Sequence, residues 1–374
     1  MFLIPYNKLT NAQKGIIRRV SRESKNLFIE GPPGSGKTLI SLYTIKDMVE
    51  SQVSSPLVMI YNHSLYGYLQ SSFKELGLID NITIVTKDKF FWDLARQNSV
   101  NIPKDITNYN KKYDALLTGL LALDLAKKWD IAIVDEVQDM QKKEWILITK
   151  LAGKITSMGD FNQGIYESDL VRNDITAISQ FEQLFDIFRF HKNIAKVAEF
   201  FTQKKDGLER KVKKIEQKQV KLIDVDNSYE EINEIINIIN SVKGQRKRLG
   251  IISPNKTKLK ELHSTLQSKR INSTFFLKNA DFRDYDFTSN DPLLITSYSA
   301  KGLEFENVII FGFDKSVTDY LGEILDELIY VSLTRSNSGL YIVRTPETVQ
   351  KIKNLTVEEE QITGKIESFD DIFG

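Results

Sequence analysis

Three observations predict an α/β fold built on two parallel sheets. Short runs that are apolar on nearly every residue alternate with helical patterns from residue 27 to 160. After an interruption around 183–220, a helix followed by a lysine-rich stretch, the alternation resumes and runs to residue 343. A glycine-rich string also follows directly on the first apolar run. A run that is apolar on both of its alternating faces belongs in a strand covered on both sides, and intervening helices supply the covers and crossovers of a parallel sheet.

Taken in order, the first half offers strands at "LFIE" 27–30, "PLVMIY" 56–61, "ITIV" 82–85, "IAIV" 131–134 and "KITSMGD" 154–160. The second half offers "KLIDV" 221–225, "LGIIS" 249–253, "STFFL" 273–277, "LLITS" 293–297, "VIIFGF" 308–313 and "LYIV" 340–343. Between the first two of these, Ile232, Ile235, Ile236 and Ile239 recur at helical spacing and mark one apolar face. The expected domains are 1–185, with a reduced helical insertion at about 86–128, and 186–350. An acidic, weakly periodic tail at 351–374 is expected to be flexible.

At 374 residues the chain can bury two cores. The formal net charge of +1 gives no whole-molecule field to gather a polyanion, so any nucleic-acid site must be local. The absence of cysteine excludes disulfides, cysteine-bound zinc and iron–sulfur clusters. No stretch reaches the roughly 18 apolar residues of a membrane helix. "ALLTGLLALDLA" comes nearest and is broken by Asp124. A soluble cytoplasmic protein without a membrane partner is expected.

The string "GPPGSGKTL", residues Gly31, Pro32, Pro33, Gly34, Ser35, Gly36, Lys37, Thr38 and Leu39, sits between a buried strand and a helix start. Glycines let such a loop curl its N–H groups around a phosphate, and the helix adds its positive dipole end. Lys37 would reach the outer phosphates of ATP, and the Thr38 hydroxyl would ligate Mg²⁺. Asp135 and Glu136 end another apolar strand, where a parallel sheet delivers side chains to its crevice. Asp135 would hold the Mg²⁺, and Glu136 would act as general base on a water. Hydrolysis then calls for further positive charge, the part played by arginine fingers.

"GPPGSGKT", "VDEVQD", "GDFNQGIY" 159–166, "FRFHKNI" 188–194, "ITSYSAKGLEFENVII" 295–310 and "IYVSLTRS" 329–336 together resemble the ordered motifs of superfamily 1 helicases of the UvrD/Rep/PcrA type. The resemblance covers roughly residues 8–343. It implies two RecA-like domains with an ATP cleft between them, ATP-driven movement along single-stranded DNA, and 3′ to 5′ polarity. By the same resemblance Gln13 reads the adenine edge, Phe188 stacks on adenine, and Gln163 senses the γ-phosphate. Arg189 and Arg335 are the fingers, while Gly302 and Glu304 approach the nucleotide from the second domain, Glu304 at the ribose. Gln138 would hydrogen-bond across the interdomain cleft. Asp139 is read equally as a helix N-cap and as a coupling residue.

The sequence departs from that family at its nucleic-acid contacts. The tryptophan expected after the third motif is replaced by Ser168, which leaves Tyr61, Asn62, Thr86, Tyr298 and Ser299 as candidates. The stretch from Lys204 to Lys221 is weighed both as a phosphate-binding surface and as a solvated face. Little room remains for inserted subdomains, which favours translocation over processive unwinding. A rival reading is a regulatory ATPase subunit paired with a nuclease or other effector, as in anti-phage defence. RNA stands as an alternative substrate.

Overall fold

A computed structural model describes residues 4–51, 56–61, 63–78, 82–103, 105–165, 168–202, 205, 207–215, 220–242, 248–276 and 289–356. Among them, strands β1 (Leu27–Glu30), β2 (Pro56–Ile60), β3 (Thr83–Thr86), β4 (Trp129–Val134), β5 (Ala152–Gly159) and β6 (Gln180–Gln183) form one sheet in the order β3-β2-β4-β5-β1-β6. A second sheet holds β7 (Val220–Asp224), β8 (Leu249–Ser253), β9 (Thr274–Phe275), β10 (Leu293–Thr296), β11 (Phe305–Ile310) and β12 (Ser336–Arg344), in the order β7-β12-β11-β8-β10-β9. Every strand pairing in both sheets is parallel. The predicted α/β class is the observed one.

Successive residues of one strand enter opposite cores, which is why the runs are apolar throughout. Phe28 and Met59 join one apolar cluster, Ile29 and Val58 the other. In the second sheet Ile252 and Ile295 face one cluster, Ile251 and Leu294 its opposite. The sequence pattern missed β6, "QFEQ", an edge strand with half-exposed and exposed residues alternating. With one side of the sheet ending there, no continuous apolar run is needed.

Two helices, Lys87–Gln97 and Tyr109–Leu121, make the crossover from β3 to β4 and pack into the same cluster as β2 and β4. Helix Asn11–Arg22 begins with a reciprocal cap: Gln13 N donates to Thr10 Oγ1 at 3.1 Å and Thr10 N to Gln13 Oε1 at 2.9 Å. Among the described residues no helix is long and apolar enough to cross a membrane.

Candidate functional site

Three neighbouring strands of the first sheet, β4, β5 and β1, release their C-terminal loops toward one cleft. The loop after β1 starts with Gly31 N donating to Gly159 O at the end of β5. It then passes through Gly34 at φ 77° and Gly36 at φ 93°, the left-handed region that glycine enters at no steric cost. Both glycines also admit a neighbour. A Cβ on Gly34 would stand 2.3 Å from Arg189 Cβ, and one on Gly36 would stand 2.3 Å from Gln13 Nε2. Lys37 opens helix Lys37–Glu50, and its Nζ donates to Gly31 O at 2.6 Å. Ser35 Oγ is buried without a hydrogen-bond partner. Gln13 Nε2 donates to Ser35 O at 2.9 Å, tying the first helix to the loop.

Asp135 and Glu136 follow β4. Asp135 is anchored by its N–H on Met59 O at 3.0 Å, while Glu136 takes a left-handed φ of 52°. Burial and the adjacent Glu136 charge push the Asp135 carboxyl well above the usual range. Burial acts on Glu136 too, but Lys301 and Lys37 outweigh it and hold that carboxyl below its ordinary value. Gln138 Nε2 donates to Glu136 Oε2 at 2.6 Å, and Gln138 Oε1 accepts from Asp160 N at 3.1 Å. Gln138 therefore joins two loops of the first sheet, where the resemblance had it reaching across the cleft.

The crossing falls to its neighbours. Asp139 Oδ2 accepts from Lys301 Nζ at 2.5 Å, and the same ammonium donates to Gln163 O at 2.6 Å. Asp139 and Lys301 are each 1% exposed. Of the two readings of Asp139, the N-cap is the one the structure rejects, because the next helix begins at Lys142 after Gln141. Burial, opposed by Lys301, pushes the Asp139 carboxyl up to about 6. Gln163 spans the same boundary: its Nε2 donates to Asp160 Oδ2 at 2.9 Å and its Oε1 accepts from an Arg335 guanidinium nitrogen at 3.0 Å.

Arg335 stands just before β12, fully buried, held also by Val331 O at 2.9 Å and Leu303 O at 3.3 Å. Burial and the nearby Arg189 push its pKa down to about 9, which leaves it charged at neutral pH. Arg189 Nε donates to Glu304 Oε1 at 2.6 Å, so these two predicted residues face each other. The backbone at this point rests on the loop, with Phe188 N donating to Gly34 O at 2.9 Å.

The cleft encloses about 440 Å³, within the size range of small-molecule sites. Its walls include Gln13, Pro33, Gly34, Gly36, Lys37, Thr38, Leu39, Asp135, Glu136 and Gln163 from the first half. Phe188, Arg189, Gly302, Glu304 and Arg335 face them. Gly31, Pro32 and Ser35 belong to the same loop but do not line the cleft. Sequence reasoning assigned no part to Lys301 or Asp160. The signal for Asp160 was present, since it follows the apolar β5 as Asp135 follows β4.

The nucleic-acid candidates fare unevenly. Tyr61 is half-buried after β2, its ring 5.0 Å from Lys87 Nζ. Thr86 is 5% exposed at the end of β3 and offers no open surface. Tyr298 packs against the second core, and Ser299 N donates to Thr296 Oγ1 in a helix cap at 3.2 Å. Ser168, where a tryptophan was expected, donates instead to Met140 O. Asn62, Lys204, Lys218 and the tail beyond 356 lie outside the described residues.

A family model described as the type III restriction enzyme res subunit matches residues 6–159, less than half of the chain. No curated protein matches it. The C-terminal domain of a possible DNA helicase from Lactobacillus plantarum WCFS1 aligns at 15% identity over 45% of this chain and 94% of its own, with a TM-score of 0.37. Arterivirus nonstructural protein 10, a helicase, aligns at 14% identity over 88% of this chain and 62% of its own, with a TM-score of 0.43. The PRRSV helicase aligns at 15% identity over 88% of this chain and 54% of its own, with a TM-score of 0.40. The chain thus spans less than two thirds of either viral protein.

Proposed function

We propose that this chain is an ATP-driven motor of the superfamily 1 helicase kind, similar to UvrD, Rep and PcrA, which hydrolyses ATP in the cleft and steps 3′ to 5′ along single-stranded DNA. One observation carries the reading: Lys37, Asp135 and Glu136 share a single cleft with Arg189 and Arg335, which come from beyond the first sheet. The supporting lobes would be residues 1–185 and 186–350.

The residues present suit a Mg²⁺–triphosphate. Adjacent buried carboxylates and an orphaned Ser35 hydroxyl beside a glycine-rich loop are costly unless a cation and an anion are to be met there. Thr38 and Asp135 would hold the metal, which when bound neutralises charge on the phosphate oxygens. Lys37 and the loop N–H groups grip the phosphates, and Glu136 accepts a proton from the attacking water. Arg189 and Arg335 stabilise the charge that spreads over the γ-phosphoryl oxygens, with Gln163 aiming Arg335. Phe188 takes the adenine ring, Gln13 its edge, and Glu304 the ribose.

The test is ATPase turnover of the purified chain at low salt, alone and with single-stranded DNA, duplex DNA or RNA. Single strands should stimulate it, and Lys37→Ala or Arg335→Ala should each cut hydrolysis about a hundredfold or more. Turnover indifferent to single strands ends the motor reading. The match to a res subunit favours a second reading, a regulatory ATPase working with a nuclease. Stable co-purification of such a partner, with weak stimulation by DNA alone, would select it. The family match stops at residue 159, so the choice of superfamily leans on the motifs of the second half.

A further inference from the structure

The crossover between β3 and β4 carries a run of aromatic side chains that starts in the core and ends at the surface, outside the cleft. Trp92, Tyr109 and Tyr113 form one run, with ring centroids 6.4 Å apart for Trp92 and Tyr109 and 6.0 Å for Tyr109 and Tyr113, the latter pair stacked at 7°. Tyr113 is buried and anchors the run, Trp92 is half-buried, and Tyr109 is 52% exposed. A tyrosine at the first position of a helix, laid flat on a buried ring yet half in water, exceeds what packing requires. Cations accompany the rings. Lys112 Nζ lies 6.0 Å from the Trp92 centroid; Lys87 Nζ, buried and paired with Glu144 at 3.0 Å, lies 5.8 Å from Tyr113 and 5.0 Å from Tyr61, which links the run to the end of β2.

We propose that this run is a stacking platform for the bases of a single-stranded nucleic acid, taking the place of the tryptophan that Ser168 replaces. The proposal rests on the motor reading and names the surface that grips the strand. Exposed aromatic faces beside a lysine suit any base joined to an anionic backbone. Lys111 is exposed and can meet a phosphate, whereas Lys112 lies over the Trp92 ring, Lys89 is held by Asp93 at 2.7 Å and Asp88 accepts from Tyr109 OH at 3.2 Å. Stacking therefore supplies more of the grip here than charge does. The salt dependence from this surface should be shallow, about one to two phosphates' worth.

The chain has three tryptophans, and Trp129 and Trp145 are only 8% and 3% exposed. Tryptophan emission of the intact protein, titrated with an oligothymidylate, thus reports on Trp92. Saturable quenching is expected, with affinity measured in parallel by anisotropy of a labelled strand. Trp92→Phe should abolish the quenching while retaining most of the affinity. Tyr109→Ala should weaken binding about tenfold, and Tyr109→Phe should keep it. The thermal midpoint should stay unchanged in both Tyr109 variants. Strand binding with unaltered emission and wild-type affinity in Tyr109→Ala overturns the platform and leaves the motor intact. A labelled strand that never binds, even at low salt, overturns both.

Discussion

Gly34 meets two demands in one residue. Its φ of 77° excludes a side chain on conformational grounds, and the space a Cβ would need is filled by Arg189. Gly34→Ala should therefore cost about 1–3 kcal/mol of stability and displace the segment that presents Arg189. ATPase turnover should fall more than tenfold with it. Gly77 supplies the control, because its φ of 71° carries the same strain with nothing within 4 Å of an added Cβ. Gly77→Ala should lose about 1 kcal/mol in urea unfolding and leave turnover untouched. Equal turnover losses in the two variants would separate Gly34 from the catalytic geometry.

The short turn Val137–Asp139 and the helix Ser297–Ala300 lie on opposite halves, and the ion pair of Asp139 with Lys301 fastens their ends. Such a pair adds little net stability, because desolvating both ions offsets their attraction, yet losing one partner strands the other. Asp139→Ala and Lys301→Ala should each cost about 3–5 kcal/mol. The double variant Asp139→Leu with Lys301→Met should recover most of that loss. Its strand-stimulated ATPase should stay low, since the donor to Gln163 O is gone. Recovery of stimulated turnover along with stability would reduce the pair to packing. Acid works on the same contact: Asp139 takes a proton as pH falls through about 6, and the charged bridge is lost below that point. Its folded pKa lies above the ordinary aspartate value, so the stability this group gives below that value is lost as pH rises to about 6.

Across the whole molecule the two halves meet through Gly34 with Phe188, Asp139 with Lys301, and Gln163 with Arg335, all beside the cleft. A ligand that binds these walls only when the chain is folded stabilises it by mass action, by about 2.7 kcal/mol at a hundred times its dissociation constant. A non-hydrolysable ATP analogue with Mg²⁺ should accordingly raise the thermal midpoint. Lys37→Ala should abolish the shift, while Arg335→Ala should retain most of it if Arg335 is the proposed finger, acting on charge that develops in the transition state. An equal loss in both variants would make Arg335 a ground-state ligand.

How much was legible beforehand follows from how far apart the partners lie in the chain. Both parallel sheets and the glycine loop could be read locally, because burial on two faces and left-handed turns leave their mark on consecutive residues. The β6 edge escaped, since an edge strand needs no continuous apolar run. Gln138 was placed across the cleft although it joins Glu136 to Asp160. Thr86 was offered to nucleic acid although it is buried. The sequence by itself determined the fold class and the residue types gathered at the cleft. Only the tertiary structure decided which of them touch, because Lys301 and Asp139 are 162 residues apart and meet through a strand order that no local pattern encodes.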